Sequence, residues 1–259
     1  MPPETPTEDH LKTAILATEE LLEKFGLTQT SKPTKLNALI VSKELLEQAK
    51  SIHSLLQSEC YAGIEPIARV AFTNYADLVN LLAKPEYFHY LAYMSLNQQR
   101  KYTQIQLESK DGKYEAQVQE NLGISLQQMI DTLKQHMSSR KSSLTREYMH
   151  NRDDPMSPES KVNISDQYRF HMAGLSKEYD SLYRGFSSRS HGHIGTIAGK
   201  AIDGETLVWP PKQASKPLWV SGLLALMLAK GGSSLGKKFG KDHKILRQLT
   251  KRIPRSSNG

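Results

Sequence analysis

The sequence is poor in cysteine, since Cys60 is the one such residue among 259. A single thiol can form neither an internal disulfide nor a zinc site built on several cysteines, and this usage is typical of a reducing compartment. The first ten residues, MPPETPTEDH, lack the basic and apolar regions of a secretory signal. These absences together predict a cytoplasmic protein.

Long hydrophobic runs are also lacking. The longest, LWVSGLLALMLA at residues 218–229, has 12 residues, whereas a helix that spans a bilayer needs about 20. The sequence therefore predicts no integral membrane segment. The phosphate-binding patterns GxxxxGK[ST] and GxGxxG are absent as well, so nothing indicates a bound nucleotide cofactor, and no cofactor is predicted.

Positive charge is present but unevenly placed. Residues 230–259 hold nine Lys or Arg and one Asp, a balance of +8, so the other 229 residues sum to about −1 of the net +7. Such a cluster suits attraction to a phosphate backbone rather than the reading of bases, with an anionic membrane surface as the alternative. The candidate nucleic-acid-binding residues are Lys237, Lys238, Lys241, Lys244, Arg247, Lys251 and Arg252.

Apolar residues recur at helical spacing through most of the chain, and no sustained alternation indicates a sheet. The pattern predicts an all-α multi-helix bundle with little or no β structure. We predict an N-terminal helix and linker at 1–32, the bundle at 33–236 and a basic tail at 237–259. Helices are predicted at about 11–25, 36–56, 63–82, 85–107, 114–140, from 165, 175–193, 218–230 and 241–252, with a loop at 151–158 and at most one short strand at 206–209.

The segment YDSLYRGFSSRSHGHIG, at residues 179–195, concentrates polar side chains. On a helix of 100° per residue its apolar members share one stripe, namely Leu175, Tyr179, Leu182 and Phe186. The opposite face carries Arg184, Ser187, Ser188 and His191. In the simplest interpretation this face meets water, with Asp180 and Arg184 as an exposed pair. A metal site at His191 and His193 is disfavoured, because the two rings diverge by about 200° on a helix and no carboxylate lies one turn away.

The same face also suits metal-independent RNA cleavage. Histidine as a residue type titrates near neutral pH, so His191 can take a proton from a ribose 2′-hydroxyl or give one to the leaving oxygen. Arg184 can neutralise the charge that builds on the phosphate, and the hydroxyls of Ser187 and Ser188 can orient it. One such set is sparse, so a two-fold homodimer that faces two sets across a cleft would make the chemistry more effective.

The spacing from Arg184 to His191 resembles that of the HEPN superfamily of helical nucleotide-binding proteins and ribonucleases. The layout of about residues 35–240 is similar to that of an uncharacterised, predominantly bacterial helical family. There an arginine-led apolar segment, here IARVAFTNYADLVNLL at 67–82, precedes a helix with the pattern of Tyr183, Ser187 and His191. The resemblance implies a helical protein that handles RNA or nucleotide, with toxin or phage defence as context and an antitoxin or other protein as partner.

Arg69 lies in an otherwise apolar stretch. It is either a partly buried arginine paired with a carboxylate or, together with Asp77 and Tyr183, a substrate contact in the same cleft as His191. The aromatic group at residues 87–93 is predicted to pack between helices, with stacking on a base as the alternative. Two functions therefore remain open: a metal-independent endoribonuclease, and a non-catalytic binding or scaffold protein with a basic tail.

Overall fold

The computed structural model describes residues 8–26, 32–109, 112–149, 161–163, 165–184, 202–203, 206–207 and 217–253. It confirms the all-α prediction. The helices are α1 (Glu8–Phe25), α2 (Pro33–Gln57), α3 (Ile64–Ala83), α4 (Tyr87–Ser109), α5 (Gly112–Leu122), α6 (Leu126–Ser142), α7 (Asp166–Met172), α8 (Ser176–Glu178), α9 (Leu218–Phe239) and α10 (Lys244–Arg252). Short 3₁₀ turns occupy Tyr61–Gly63 and Arg146–Tyr148, a π-helical turn occupies Tyr179–Tyr183, and β1 (Ile202–Asp203) pairs antiparallel with β2 (Thr206–Leu207).

The chain divides into two compact units. The first comprises Met1–Ala83 and Asp166–Gly259, and the second comprises Lys84–Ser165. In the first unit α9 packs against α1, α2, α3 and α10. The domain boundaries inferred from the sequence stay predictions.

Helix α9 is the central helix of the first unit. It extends to Phe239, nine residues beyond the predicted end at Lys230. The extension is GGSSLGKKF, and its glycines let neighbouring elements approach: a Cβ at Gly231 would lie 2.8 Å from Leu78 Cδ2, and one at Gly232 would lie 2.7 Å from Leu246 Cδ1. Because glycine is unfavourable inside a helix, the glycine-rich sequence after Lys230 predicted that the helix ends there. Tertiary packing against these glycines instead continues the helix.

Among the described helices, α9 alone is long and apolar enough to cross a membrane by length and composition, with a mean hydropathy of 1.3 over its best window. Within the chain, however, 61% of that window is buried. Its contacts with four other helices of the first unit account for the apolar composition.

The second unit is built on the packing of α4 against α6. Tyr87 and Tyr90 are fully buried and contact the ring of Tyr148, and the Tyr90 hydroxyl donates to the carbonyl of Asn163 at 2.8 Å. These contacts confirm that the two tyrosines pack between elements.

The prediction of a single helix at about 114–140 is wrong. The chain forms α5 and α6 instead, because Gly123 adopts a left-handed φ of +68° and Ser125 begins a new helix. The hydroxyl of Ser125 accepts from the backbone N–H of Gln128, whose side chain accepts in return from the backbone of Ser125. This reciprocal cap satisfies two backbone donors at the start of α6.

Candidate functional site

A buried ion pair joins α3 to α7 in the first unit. Arg169 donates from Nε to Oδ1 of Asp77 at 3.1 Å and from Nη2 to Oδ2 of the same carboxylate. The side chains are only 12% and 6% exposed, respectively. Asn80, one turn beyond Asp77 on α3, donates to the carbonyl of Arg169 at 3.0 Å. A bidentate pair of this kind fixes both the distance and the orientation of the two helices.

Asp166 extends this pair into a network. It accepts from Nη1 of Arg169 at 3.1 Å and from the hydroxyl of Tyr183. The same hydroxyl accepts from Nε of Arg69 at 3.1 Å, and the Arg69 guanidinium lies 5.2 Å from the centroid of the Tyr183 ring. Nη2 of Arg69 is 3.9 Å from Asp166. Asp77, Arg169, Asp166, Tyr183 and Arg69 are hereafter called the arginine–aspartate network.

The charges of the arginine–aspartate network balance, with two arginines and two aspartates. Burial raises the pKa of Tyr183, and its donation to Asp166 raises that pKa further. The phenol therefore remains protonated at neutral pH and serves as a hydrogen-bond donor to the carboxylate. Because the charges balance and the polar groups hydrogen-bond to one another, the network can hold the segment after Tyr183 in a fixed position.

The arginine–aspartate network holds three residues that the sequence nominated as substrate contacts. Tyr183 and Asp77 are nearly inaccessible, at 3% and 4% exposed, so they lie beneath the surface. Arg69 has the partly buried position that its apolar surroundings indicated, and Asp166 and Tyr183 are among its partners. The role of these residues toward a substrate stays a prediction.

Two members of the network, Asp166 and Arg169, were missed by sequence reasoning. They lie 89 and 92 residues beyond Asp77, and no local pattern reports a pairing at that separation. One weak signal was available, because an Asp and an Arg three residues apart flank Tyr168 and precede Phe170 on the short helix α7. An ion pair beside buried aromatics on one turn indicates a half-buried charged face.

The helix predicted from Leu175 to His193 is not a regular α-helix in its described part. After α8 the backbone N–H of Arg184 bonds to the carbonyl of Tyr179, five residues back, as in a π-helix. The rings of Tyr179 and Tyr183 stack at 5.1 Å, and each contacts Phe170. The aromatic contacts thus hold this turn against α7 beside the arginine–aspartate network.

Arg184 follows the π turn and points into solvent. Its side chain is 70% exposed, and Nη1 lies 3.7 Å from Oδ1 of Asp180. This is the exposed pair that the spacing predicted. Ser187, Ser188 and His191 lie outside the described residues, so their convergence with Arg184 stays a prediction.

The seven C-terminal cations nominated as nucleic-acid contacts are all exposed. They occupy the end of α9, the connection and α10, and together they are called the basic face (Lys237, Lys238, Lys241, Lys244, Arg247, Lys251 and Arg252). Asp242, the one acidic residue in that stretch, pairs with Arg247 at 2.8 Å. The opposite side of α10 buries Leu246 and Leu249. The sequence pairs Ile245 with Leu249 on one apolar side of this helix, but Ile245 is 42% exposed, and the buried partner of Leu249 is Leu246.

Within the described residues, no group of three or more His, Cys, Asp or Glu side chains is arranged to hold a metal ion.

Comparison with known proteins returns one family. The model of a family of unknown function, DUF5677, matches residues 41–205. No curated protein and no solved structure matches the chain. The matched range contains the whole arginine–aspartate network together with Arg184 and His191, whereas the basic face lies beyond it.

Proposed function

The chain belongs to the DUF5677 family, whose function is unknown, and we propose from its own geometry that it is a HEPN-like helical protein that binds RNA through the basic face. The observation that carries this proposal is the exposure of all seven cations over one short stretch with a single acidic residue among them. Buried leucines anchor α10 to the rest of the first unit, so the cations are presented on a folded support.

The basic face suits the phosphate backbone rather than the bases. Lysines outnumber arginines five to two in it, and an ammonium group acts as a point charge, whereas sequence reading relies on bidentate donors. Release of counterions from the nucleic acid would supply most of the affinity, which makes binding strongly dependent on salt. We therefore expect affinity for single-stranded RNA with little preference among sequences.

Reversing two charges tests RNA binding by the basic face. We expect the double variant Lys244→Glu with Lys251→Glu to bind a fluorescent single-stranded RNA at least about tenfold more weakly at low salt. The slope of log affinity against log salt should fall in magnitude by about 1.4, because each lost phosphate contact on a single strand accounts for roughly 0.7. Fluorescence anisotropy across a salt series measures both quantities.

The matched control places the same two reversals elsewhere on the first unit. Lys12 on α1 and Lys43 on α2 are exposed, and their change to Glu alters the net charge equally. We expect this control to keep most of the affinity and the wild-type slope. Equal losses in the two double variants would mean that overall charge rather than the basic face determines binding, and the proposal would then be abandoned.

A second candidate function, metal-independent endoribonuclease activity, is favoured by the position of Arg184. Its guanidinium is exposed directly after a turn that buried aromatics and the arginine–aspartate network hold in place. In this proposal His191 accepts the 2′-hydroxyl proton, the 2′-oxygen attacks phosphorus, and the P–O5′ bond breaks as the protonated His191 returns the proton to the leaving 5′-oxygen. Arg184 neutralises the phosphorane charge, and the product carries a 2′,3′-cyclic phosphate. Such activity would suit a toxin or a phage-defence effector with a protein partner.

Cleavage of labelled RNA in EDTA tests the second candidate. We expect the wild-type protein to cleave in chelator, and His191→Ala and Arg184→Ala each to lower the rate by about 10²- to 10⁴-fold. Arg189→Ala, which removes an arginine from the same segment, should cleave normally. Intact RNA in the presence of wild-type protein that still binds it would favour the non-catalytic binding protein instead.

A further inference from the structure

A cavity of about 460 Å³ opens between α3 and α9 in the first unit. One wall is apolar and is formed by Tyr75, Val79 and Leu82 of α3. Helix α9 contributes lysines at positions 230, 237 and 238. Lys237 and Lys238 lie seven and eight residues beyond Lys230, about two helical turns, so all three reach the same cavity. An apolar wall beside several cations is the lining expected for an organic anion.

Among the described residues that line the cavity, the charged side chains are all lysines. The ammonium of Lys238 donates to the carbonyl of Leu82 in the last turn of α3, where it offsets the negative end of the helix and keeps two further N–H donors. Burial raises the pKa of Tyr75 to about 12, and the nearby charge of Glu178 adds to the rise. The phenol is therefore neutral and adds no charge to the cavity.

We propose that this cavity binds a phosphorylated nucleoside, with its phosphate on the lysines of α9 and its base and sugar against the apolar wall. A phosphomonoester carries nearly two negative charges near neutral pH and three acceptor oxygens, which matches a cluster of lysines better than a single carboxylate does. Inorganic phosphate would leave the apolar wall uncovered. The volume lies within the range of about 300–1,000 Å³ that is usual for small-molecule pockets.

The phosphorylated nucleoside can come from two sources. One is a free mononucleotide. The other is the 5′-terminal nucleotide of an RNA held on the basic face, and this source rests on the proposed function. It is sterically reasonable because Lys237 and Lys238 belong both to the cavity and to the basic face.

Filling the cavity tests the proposal. Ser234 lines the cavity and is exposed, so Ser234→Trp places a large side chain in it while every cation of the basic face remains. Calorimetric titration with 5′-AMP should show binding to the wild type, at least about tenfold weaker binding of adenosine, and a loss of about tenfold or more in Ser234→Trp. Ser51→Trp, a matched change at an exposed position of α2, should bind 5′-AMP normally. If thermal unfolding shows that Ser234→Trp does not fold, Ala83→Trp, at another exposed position of the lining, provides the same comparison with every cation of the basic face retained.

The two sources are separated with RNA that carries either a 5′-phosphate or a 5′-hydroxyl. A preference for the phosphorylated end that disappears in Ser234→Trp assigns the cavity to an RNA terminus, and equal affinities with 5′-AMP binding retained assign it to a free mononucleotide. The proposal would be overturned if the wild type did not bind 5′-AMP or bound adenosine equally well. It would also be overturned if octanoate at equal concentration displaced 5′-AMP, or if Ser234→Trp bound 5′-AMP as the wild type does. Loss of RNA binding alone, in Lys244→Glu with Lys251→Glu, would leave the cavity proposal intact.

Discussion

Replacement of Asp77 by alanine is expected to lower the free energy of unfolding of the first unit by about 3–5 kcal/mol. The variant leaves the guanidinium of Arg169 nearly buried, at 12% exposed, without its bidentate acceptor. Arg169 keeps the more exposed Asp166 as a partner, but the network then carries an excess positive charge, and the desolvation of that charge, rather than the loss of one hydrogen bond, accounts for most of the expected cost. Chemical denaturation followed by circular dichroism measures the change.

Two comparisons isolate the cause of this effect. Asp180→Ala removes a carboxylate from an exposed pair with Arg184 and should change stability by no more than about 0.5 kcal/mol. The double variant Asp77→Leu with Arg169→Met removes both buried charges and should recover at least half of the loss, because an apolar pair can replace a buried ion pair. A loss below about 1 kcal/mol in Asp77→Ala would show that water reaches the pair.

Truncation of Phe170 to alanine is expected to be comparably severe, at about 3–5 kcal/mol. Its ring is fully buried and contacts Phe72, Tyr179 and Tyr183. The change removes the surface against which the π turn packs, so the near-ultraviolet circular dichroism of the tyrosines should weaken as well. The destabilisation combines lost apolar burial with the cavity left between α3, α7 and the turn.

The control for Phe170→Ala is an apolar residue at the surface. Val70 on α3 is half exposed, and Val70→Ala should change stability by less than about 0.5 kcal/mol. Phe170→Leu should fall between the two, because it retains most of the buried volume. Equal stabilities of the wild type and Phe170→Ala would contradict the packing of the turn against α7.

Helix positions could be predicted well wherever local signals were strong. Helices α1 to α4 lie within a few residues of the predicted ranges, because their apolar periodicity is clear and Gly26, Pro33 and Pro85 lie at or near their boundaries. The break between α5 and α6 was missed although Ser125 and Gln128 have the spacing of a reciprocal cap. The polar, glutamine-rich composition there favoured one continuous helix, and a single glycine was too weak a signal against it.

Some residues of the candidate site could likewise be predicted from local sequence, and others could not. Arg69 and Asp77 could be singled out because a charge within an apolar helical stretch must find a partner. Their partners Asp166 and Arg169 could not, since they lie on another helix and the pairing depends on how α7 docks. Burial of Tyr183 likewise follows from the π turn, which no local pattern indicated.

The sequence by itself determined the all-α class, the main helical segments and the concentration of cations near the C-terminus, because periodicity and charge are properties of neighbouring residues. Only the tertiary structure decided that the glycines of α9 continue a core helix, that Asp77 pairs with Arg169 through one carboxylate, and that three lysines share a cavity with Tyr75. Each of these depends on which helix faces which. That choice is made by burial and by satisfaction of polar groups across long separations in the chain.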